Sequence, residues 1–261
     1  MRRMDTQEVL ALFDRQLRRE YPGDGPRDTV EHTGGVVRHI GADDSWCGVI
    51  WSDLDEEGAD AAIAAQLRYF GDSGRSFEWK LYAHDRPADL GARLAGAGLV
   101  PDEPETLMVA ELADLPQEPV LPEGLRIEPV TDLSGVEQMI VAHREAFGRA
   151  LPRLEQYLRR QVAEDDGGLT ALVVLAGEEP VCGARMEFHR GTAFASLWGG
   201  GTAPEWRGRG VYRATVAYRA RLAAERGYRY LQVDASADSR PILARLGFRA
   251  LSVTTPYNYE P

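Results

Sequence analysis

Around position 200 an alternating strand pattern, 192–202, runs through Ala203-Pro204-Glu205-Trp206 into Arg207-Gly208-Arg209-Gly210, and a helical period begins at once. Two glycines in four residues let a backbone turn tightly with its N–H groups facing inward. A helix start adds amides that lack intrahelical acceptors, together with the positive end of the peptide dipoles. Such a joint is an anion nest suited to a pyrophosphate, and Arg207, Arg209 and Arg213 surround it with positive charge. An isolated Arg-Gly-Arg-Gly would be a solvated basic turn; its place between a strand and a helix favours the phosphate. A dinucleotide fingerprint, Gly-x-Gly-x-x-Gly, is excluded because position 213 is arginine and the preceding strand is the third of a meander.

The remaining pattern supplies the frame for this joint. Residues 125–130 alternate as a strand does. Asp132 is a good N-cap for a helix to about 147, with Val136, Met139, Ile140 and His143 on one face. A second helix covers about 151–163, and strands follow at 169–176, 181–189 and 192–202. Beyond the glycine joint come a helix at 210–226, a strand at 230–235, a helix at 239–246 and a strand at 249–257. Antiparallel strands followed by a strand–helix–strand unit give an α+β class, with a mixed, mostly antiparallel sheet flanked by helices.

The first half repeats the latter part of this plan: strand 46–51, helix 58–70, strand 77–83, helix 88–95, strand 106–112. Leu94-x-x-Ala97-Gly98-Leu99 falls where Leu243-x-x-Leu246-Gly247-Phe248 does in the second half. A duplicated fold is the expectation. Three prolines and no helical period in 112–124 mark a linker. The expected domains are therefore 1–111 and 124–261, joined by 112–123.

Charge separates the halves. Up to Glu118 the chain has 12 Lys and Arg against 24 Asp and Glu, and beyond it 18 against 17. The acidic half argues against nucleic acid as a partner. No apolar stretch is long enough for a membrane span, and Met1-Arg2-Arg3-Met4-Asp5 lacks the apolar core of a signal peptide, so a cytoplasmic address and no membrane partner are expected. Cys47 and Cys182 stand alone and the five histidines form no paired-ligand motif, so no metal is expected.

On these residues the second half resembles the GNAT acetyltransferase superfamily. Arg207-x-x-Gly210-x-Tyr212 follows its Gln/Arg-x-x-Gly-x-Gly/Ala signature, with tyrosine in place of the last small residue. Thr202-Ala203-Pro204-Glu205-Trp206-Arg207 is similar to its Val-x-Pro-x-Tyr-Arg approach. The segment from Ser236 to Leu246-Gly247-Phe248 resembles its last helix and Leu-Gly-Phe ending. The resemblance covers about 124–261, and tandem members with one degenerate copy occur in the superfamily.

The resemblance implies the acyl-CoA N-acyltransferase fold and acetyl-CoA as acyl donor. It places the donor in a splay between the fourth and fifth strands, with backbone groups of Gly200 and Thr202 pairing with the pantetheine arm. Amides of Arg207, Gly208, Arg209, Gly210, Val211 and Tyr212 would hold the pyrophosphate, with Ser236 further along. The implied activity is N-acetyl transfer to a primary amine of a small-molecule or peptide acceptor. A noncatalytic acyl-CoA-binding sensor or scaffold is the alternative.

Acyl transfer to an amine needs a base for the amine and a proton for the leaving thiolate. Relatives often carry a protonating tyrosine where this chain has Leu243. Glu187 and His189, on one face of a strand, and Asp234, at a strand end, are the candidate bases; a polar strand face and a structural carboxylate are the plain alternatives. Gly199-Gly200-Gly201 inside a strand suggests a bulge or a close ligand approach, and a thioester beside the backbone would account for it. At the corresponding joint of the first half, Asp53-Leu54-Asp55-Glu56-Glu57 would repel a pyrophosphate. That half is expected to lack a cofactor site and to shape the acceptor pocket or pair two chains into a homodimer.

Overall fold

The computed structural model describes residues 4–23, 25, 27–42, 45–164 and 167–261. The start Met1-Arg2-Arg3, on which the reading of the N-terminus partly rests, lies outside them. The chain packs as two compact units: Met1–Met108 with Asp234–Ala244 and Arg249–Pro261, and Val109–Val233 with Arg245–Phe248.

In the first unit, α1 (Thr6–Phe13) starts at Asp5, whose carboxylate accepts from the amides of Gln7 and Glu8. It continues into a π-helical turn, Asp14–Arg19. Strands β1 (Thr29–Thr33), β2 (Val36–Ile40) and β3 (Cys47–Ser52) form an antiparallel meander. Helix α2 (Ala59–Asp72) crosses to β4 (Phe77–Tyr82), which lies parallel to β3. Helix α3 (Leu90–Gly96), short β5 (Val100–Pro101) and β6 (Glu105–Glu111) follow. Ile63 and Phe70 of α2 and Leu90 and Leu94 of α3 bury against Val49 and Trp79 of the sheet. Each such side chain contributes roughly 1.5–3 kcal/mol of apolar transfer.

The second unit takes the end of β6, from Val109, and a short 3-10 turn at Leu112–Asp114. Leu112 and Leu115 are buried, and Leu112 donates its amide to the carbonyl of Arg229, so the start of the expected linker is packed. Then come β7 (Leu125–Pro129), α4 (Leu133–Phe147), α5 (Pro152–Glu164), β8 (Leu169–Ala176), β9 (Glu179–Phe188) and β10 (Phe194–Thr202). Asp132 caps α4 by accepting from the amide of Gly135, and Gly148 ends the helix in the left-handed region. Strands β7 to β10 are an antiparallel meander. Helix α6 (Val211–Glu225) crosses to β11 (Tyr230–Ala235), parallel to β10.

Strand β8 is apolar almost throughout because both its faces are covered. Ala171, Val173 and Leu175 meet Val136, Met139 and Leu158 of α4 and α5, whereas Leu172 and Val174 join Cys182, Ala184 and Val211 on the other face.

Helix α7 (Arg240–Leu246) leads to β12 (Arg249–Tyr259). This strand was expected in the second domain, yet it pairs antiparallel with β4, from Thr254 opposite Tyr82 to Tyr259 opposite Phe77, and belongs to the first unit. The packed units are thus not the sequence halves 1–111 and 124–261. In the repeated plan β12 is the counterpart of β6, so a strand that is local in sequence has its pairing partner far away. The duplication itself is visible in the parallel pairs β3–β4 and β10–β11, each joined by a crossover helix. It shows again in the ends of α3 and α7: Leu94 and Leu243 are fully buried, and Gly98 and Gly247 both take positive φ.

Candidate functional site

Ladder pairing between β10 and β11 covers Phe194–Ser196 against Tyr230–Gln232 and goes no further. Beyond Ser196 strand β10 runs on to Thr202 while paired only with β9, and a bulge interrupts that ladder between Trp198 and Gly201. The result is a splay between β10 and β11 that opens beyond Ser196 and runs alongside Gly200 to Thr202.

At the end of β10, Pro204–Trp206 forms a single turn, and Gly208 and Gly210 take φ of 73° and 87°. Those angles suit glycine and strain other residues. Gly210 is the N-cap of α6 and no side chain caps the helix, so the amides following it point outward with the positive end of the dipole. The turn fits a diphosphate.

Its arginines divide their work. Arg207 donates from Nε to the carbonyl of Thr202 and from a terminal nitrogen to the carbonyl of Ala146, so it ties the turn to the end of α4. Arg209 lies over the ring of Trp206, 4.9 Å from its centroid. Arg207 thus acts as a clamp on the backbone, and its charge is shared with two carbonyls.

The glycine run also has a side-chain explanation. A β-carbon on Gly200 would stand 2.6 Å from the ring of Tyr212, and one on Gly201 would stand 2.8 Å from the ring of Phe147. One on Gly199 would meet Arg185 at 3.2 Å and His143 at 3.4 Å. Alternation along the strand therefore puts α4 over Gly199 and Gly201 and α6 over Gly200. Tyr212, at the place of the family's small residue, uses the space a side chain on Gly200 would fill. Burial raises its phenol, with the nearby Arg219 opposing.

The candidate bases fall into different settings. Glu187 stands opposite Ser196, which in turn stands opposite Gln232, so the three make a row across β9, β10 and β11. Glu187 accepts a long hydrogen bond from Tyr157 of α5 (3.4 Å) and faces Arg185 at 3.6 Å. Its side chain keeps partial exposure.

His189 is buried, with Nε2 2.7 Å from the hydroxyl of Ser196. Ser196 donates to Gln232 at 2.6 Å, so its oxygen accepts from His189 and Nε2 carries the hydrogen. Burial lowers the imidazole below its ordinary range, with Glu187 opposing. The relay makes His189 a structural member of this face.

Asp234 and Ser236 belong to the first unit. Asp234 is paired with Lys80 at 2.5 Å with both side chains largely buried, which supports its structural reading because the ammonium occupies the carboxylate. Ser236 shares a contact with Ser239 at the start of α7. Leu243 is fully buried, so a tyrosine there would have to displace core atoms.

Sequence reasoning placed His143 on the core face of its helix and assigned it no role. It is fully buried beneath the bulge, between Gly183 and Gly199, and neither ring nitrogen has a hydrogen-bond partner among the described residues. Burial lowers its pKa, partly offset by the nearby backbone of Gly183 and Gly199. Arg219 of α6 was also missed. It is buried and donates to the carbonyls of Thr215 and Arg185. Among the described residues no group of three or more His, Cys, Asp or Glu is placed to hold a metal, and no helix is long and apolar enough to cross a membrane.

Residues 121–236 match the family described as Acetyltransferase (GNAT) domain. Among solved structures, a GCN5-related N-acetyltransferase from Kribbella flavida is similar over 98% of this chain and 94% of its own, with a TM-score of 0.67 and 17% identity. A tandem GNAT protein from the clavulanic acid biosynthesis pathway is similar over 92% of this chain and 85% of its own, with a TM-score of 0.58 and 14% identity. A GCN5-related N-acetyltransferase from Sphaerobacter thermophilus gives a TM-score of 0.58 at 16% identity, over 99% of this chain and 86% of its own. No curated protein matches the chain. At such identities the structural likenesses speak for the fold, which they carry across nearly the whole chain.

Proposed function

We propose that residues 121–236, which match the family described as Acetyltransferase (GNAT) domain, are such a domain, and that the protein transfers an acetyl group from acetyl-CoA to a primary amine of a small-molecule or peptide acceptor. The observation that carries this is the uncapped start of α6, with Gly208 and Gly210 left-handed, directly after the strand that parts from β11. Amides of residues 207–212 would hold the pyrophosphate, and the open edge of β10 at Gly200 and Thr202 would pair with the pantetheine arm. The donor supplies an activated acyl carbon; the chain supplies orientation and charge.

On the α4 face, Glu187 is the group best placed to receive the amine's proton, directly or through water, because it alone of the three candidates keeps a partly exposed side chain. An aliphatic amine titrates near about 10, so a proton acceptor speeds reaction at neutral pH. With leucine at position 243, the thiolate would leave without a dedicated acid from α7. At the matching joint of the first unit, Asp55 accepts from the amide of Gly58 at 2.7 Å just before α2, so a carboxylate already sits where an anion would. We place the protein in the cytoplasm, without nucleic-acid or membrane partners, and assign to the first unit a part in acceptor binding or in a homodimer.

The test is thiol release from acetyl-CoA with a library of primary amines, alongside calorimetry of acetyl-CoA binding. Turnover with any amine supports the proposal. Tight binding without turnover would favour the acyl-CoA sensor, the reading to which the buried Leu243 lends weight. Absence of binding would overturn both.

A further inference from the structure

A second group of chemically able side chains lies wholly in the first unit and takes no part in the acetyl-CoA reading. His84, just beyond β4, stands across the strand pair from Ser252 at the start of β12. The His84 Nδ1 lies 2.9 Å from the Ser252 hydroxyl oxygen, and its Nε2 lies 2.9 and 3.1 Å from the two carboxylate oxygens of Asp14.

An ionised carboxylate only accepts, so Nε2 carries the hydrogen and Nδ1 keeps its lone pair for the serine proton. Asp14 stays ionised, its pKa lowered by hydrogen bonds from His84 and Arg18 that outweigh its burial. The order is carboxylate, imidazole, hydroxyl, the arrangement that activates a serine nucleophile.

Two further observations separate this trio from an ordinary cross-strand contact. Asp14 opens the π-helical turn, a rare geometry frequently found at functional sites. Ser252 and His84 also line a groove of about 390 Å³ with apolar walls at Leu10, Ala83, Leu251 and Val253, and with Arg240 and Thr106 as its polar groups.

Arg18 is the countervailing charge, 3.3 Å from Nε2. It is held by both oxygens of Asp85, by Asp14 and by the carbonyl of Ile50. Two carboxylates, Asp14 and Asp85, thus face this one guanidinium.

We propose that Ser252, activated by His84 and oriented by Asp14, is a nucleophile that accepts the acyl group of small esters of short carboxylic acids. The serine oxygen bonds to the ester carbonyl carbon as its proton passes to His84 Nδ1. The carbon–oxygen bond to the alcohol then breaks, and the alcohol leaves with that proton. Water, giving its proton to His84, releases the acid and restores the serine. Arg240 is the cation in the groove for the oxyanion, and the apolar walls limit the acyl chain to a few carbons.

The test uses the full chain and a fluorophosphonate, which loses fluoride as the serine oxygen bonds to phosphorus, read by peptide mass mapping and by p-nitrophenyl acetate hydrolysis. An adduct on Ser252 is expected, absent in Ser252→Ala and formed about a hundredfold more slowly in His84→Gln, the scale of general-base assistance. Wild-type protein left unlabelled at Ser252, or labelling unchanged in a folded His84→Gln, overturns the proposal. Should His84→Gln perturb folding, Asp14→Asn decides: labelling slowed in a folded Asp14→Asn supports the activated serine, and unchanged labelling overturns it. Neither readout depends on acetyl-CoA, so the outcome stands apart from the acetyltransferase reading.

Discussion

Arg207 donates to the carbonyl of Ala146 at 2.8 Å, joining the glycine turn before α6 to the last turn of α4, 61 residues earlier. The same guanidinium holds the carbonyl of Thr202, so it ties the turn and the end of β10 to the helix carrying His143 and Phe147. Replacing Arg207 by alanine should cost about 1 kcal/mol, a hydrogen bond to a charged group discounted for its exposure. It should also weaken acetyl-CoA binding several-fold. Urea unfolding and calorimetry measure the two effects, and unchanged affinity would show that the clamp is irrelevant to the donor site.

Gly210→Val puts a branched side chain at a φ of 87° and in front of the outward amides. Loss of acetyl-CoA binding is expected in a protein that remains folded, with a stability cost of about 1–2 kcal/mol for the left-handed backbone. Titration showing wild-type affinity would move the site elsewhere.

Gly200 and Tyr212 should be energetically coupled. Gly200→Ala alone drives a β-carbon to 2.6 Å from the ring and should cost about 1–3 kcal/mol. In a Tyr212→Ala background the same change should be nearly neutral. A double-mutant cycle that returns no coupling would mean that the ring moves aside freely.

Stability should fall with acidification through the ordinary histidine range. Burial depresses the pKa of both His143 and His189 in the folded chain, so the unfolded chain binds these protons more readily. Their contribution is whole above about pH 6.5 and is lost as pH drops toward the folded values. Urea midpoints of the wild type should decline over that interval, and those of His143→Gln/His189→Gln should decline less. Asp14 and Asp28, also depressed, lose their contribution only in the more acid carboxylate range, which keeps the two effects apart.

Acetyl-CoA should bind with one equivalent per chain. Asp55 already accepts from the Gly58 amide at the start of α2, and two like charges about 4 Å apart repel by about 1 kcal/mol in water and more where solvent is thinner. A stoichiometry near two, with one site surviving Gly210→Val, would make both units donor domains.

Local pattern alone determined much of this protein. The strands 169–176 and 230–235, the Asp132 cap and the glycine joint at 207–210 depend on period, capping and backbone freedom within a few residues, and all are found where the sequence puts them. The repeat was legible for the same reason, since Leu94 and Leu243 precede matching left-handed glycines. Strands β1 and β2, short and bounded by ambiguous loops, gave no comparable signal.

Tertiary structure alone decided which strand pairs with which, and so sent β12 to β4 in the first unit, because pairing depends on which edge is open and not on local sequence. It also decided what each polar side chain meets. His189 loses its free Nε2 to Ser196, Asp234 is taken by Lys80, and His143 comes to rest under the bulge of β10. No spacing in the chain records such encounters, since a partner 154 residues away, as Lys80 is from Asp234, is brought near only when the core closes.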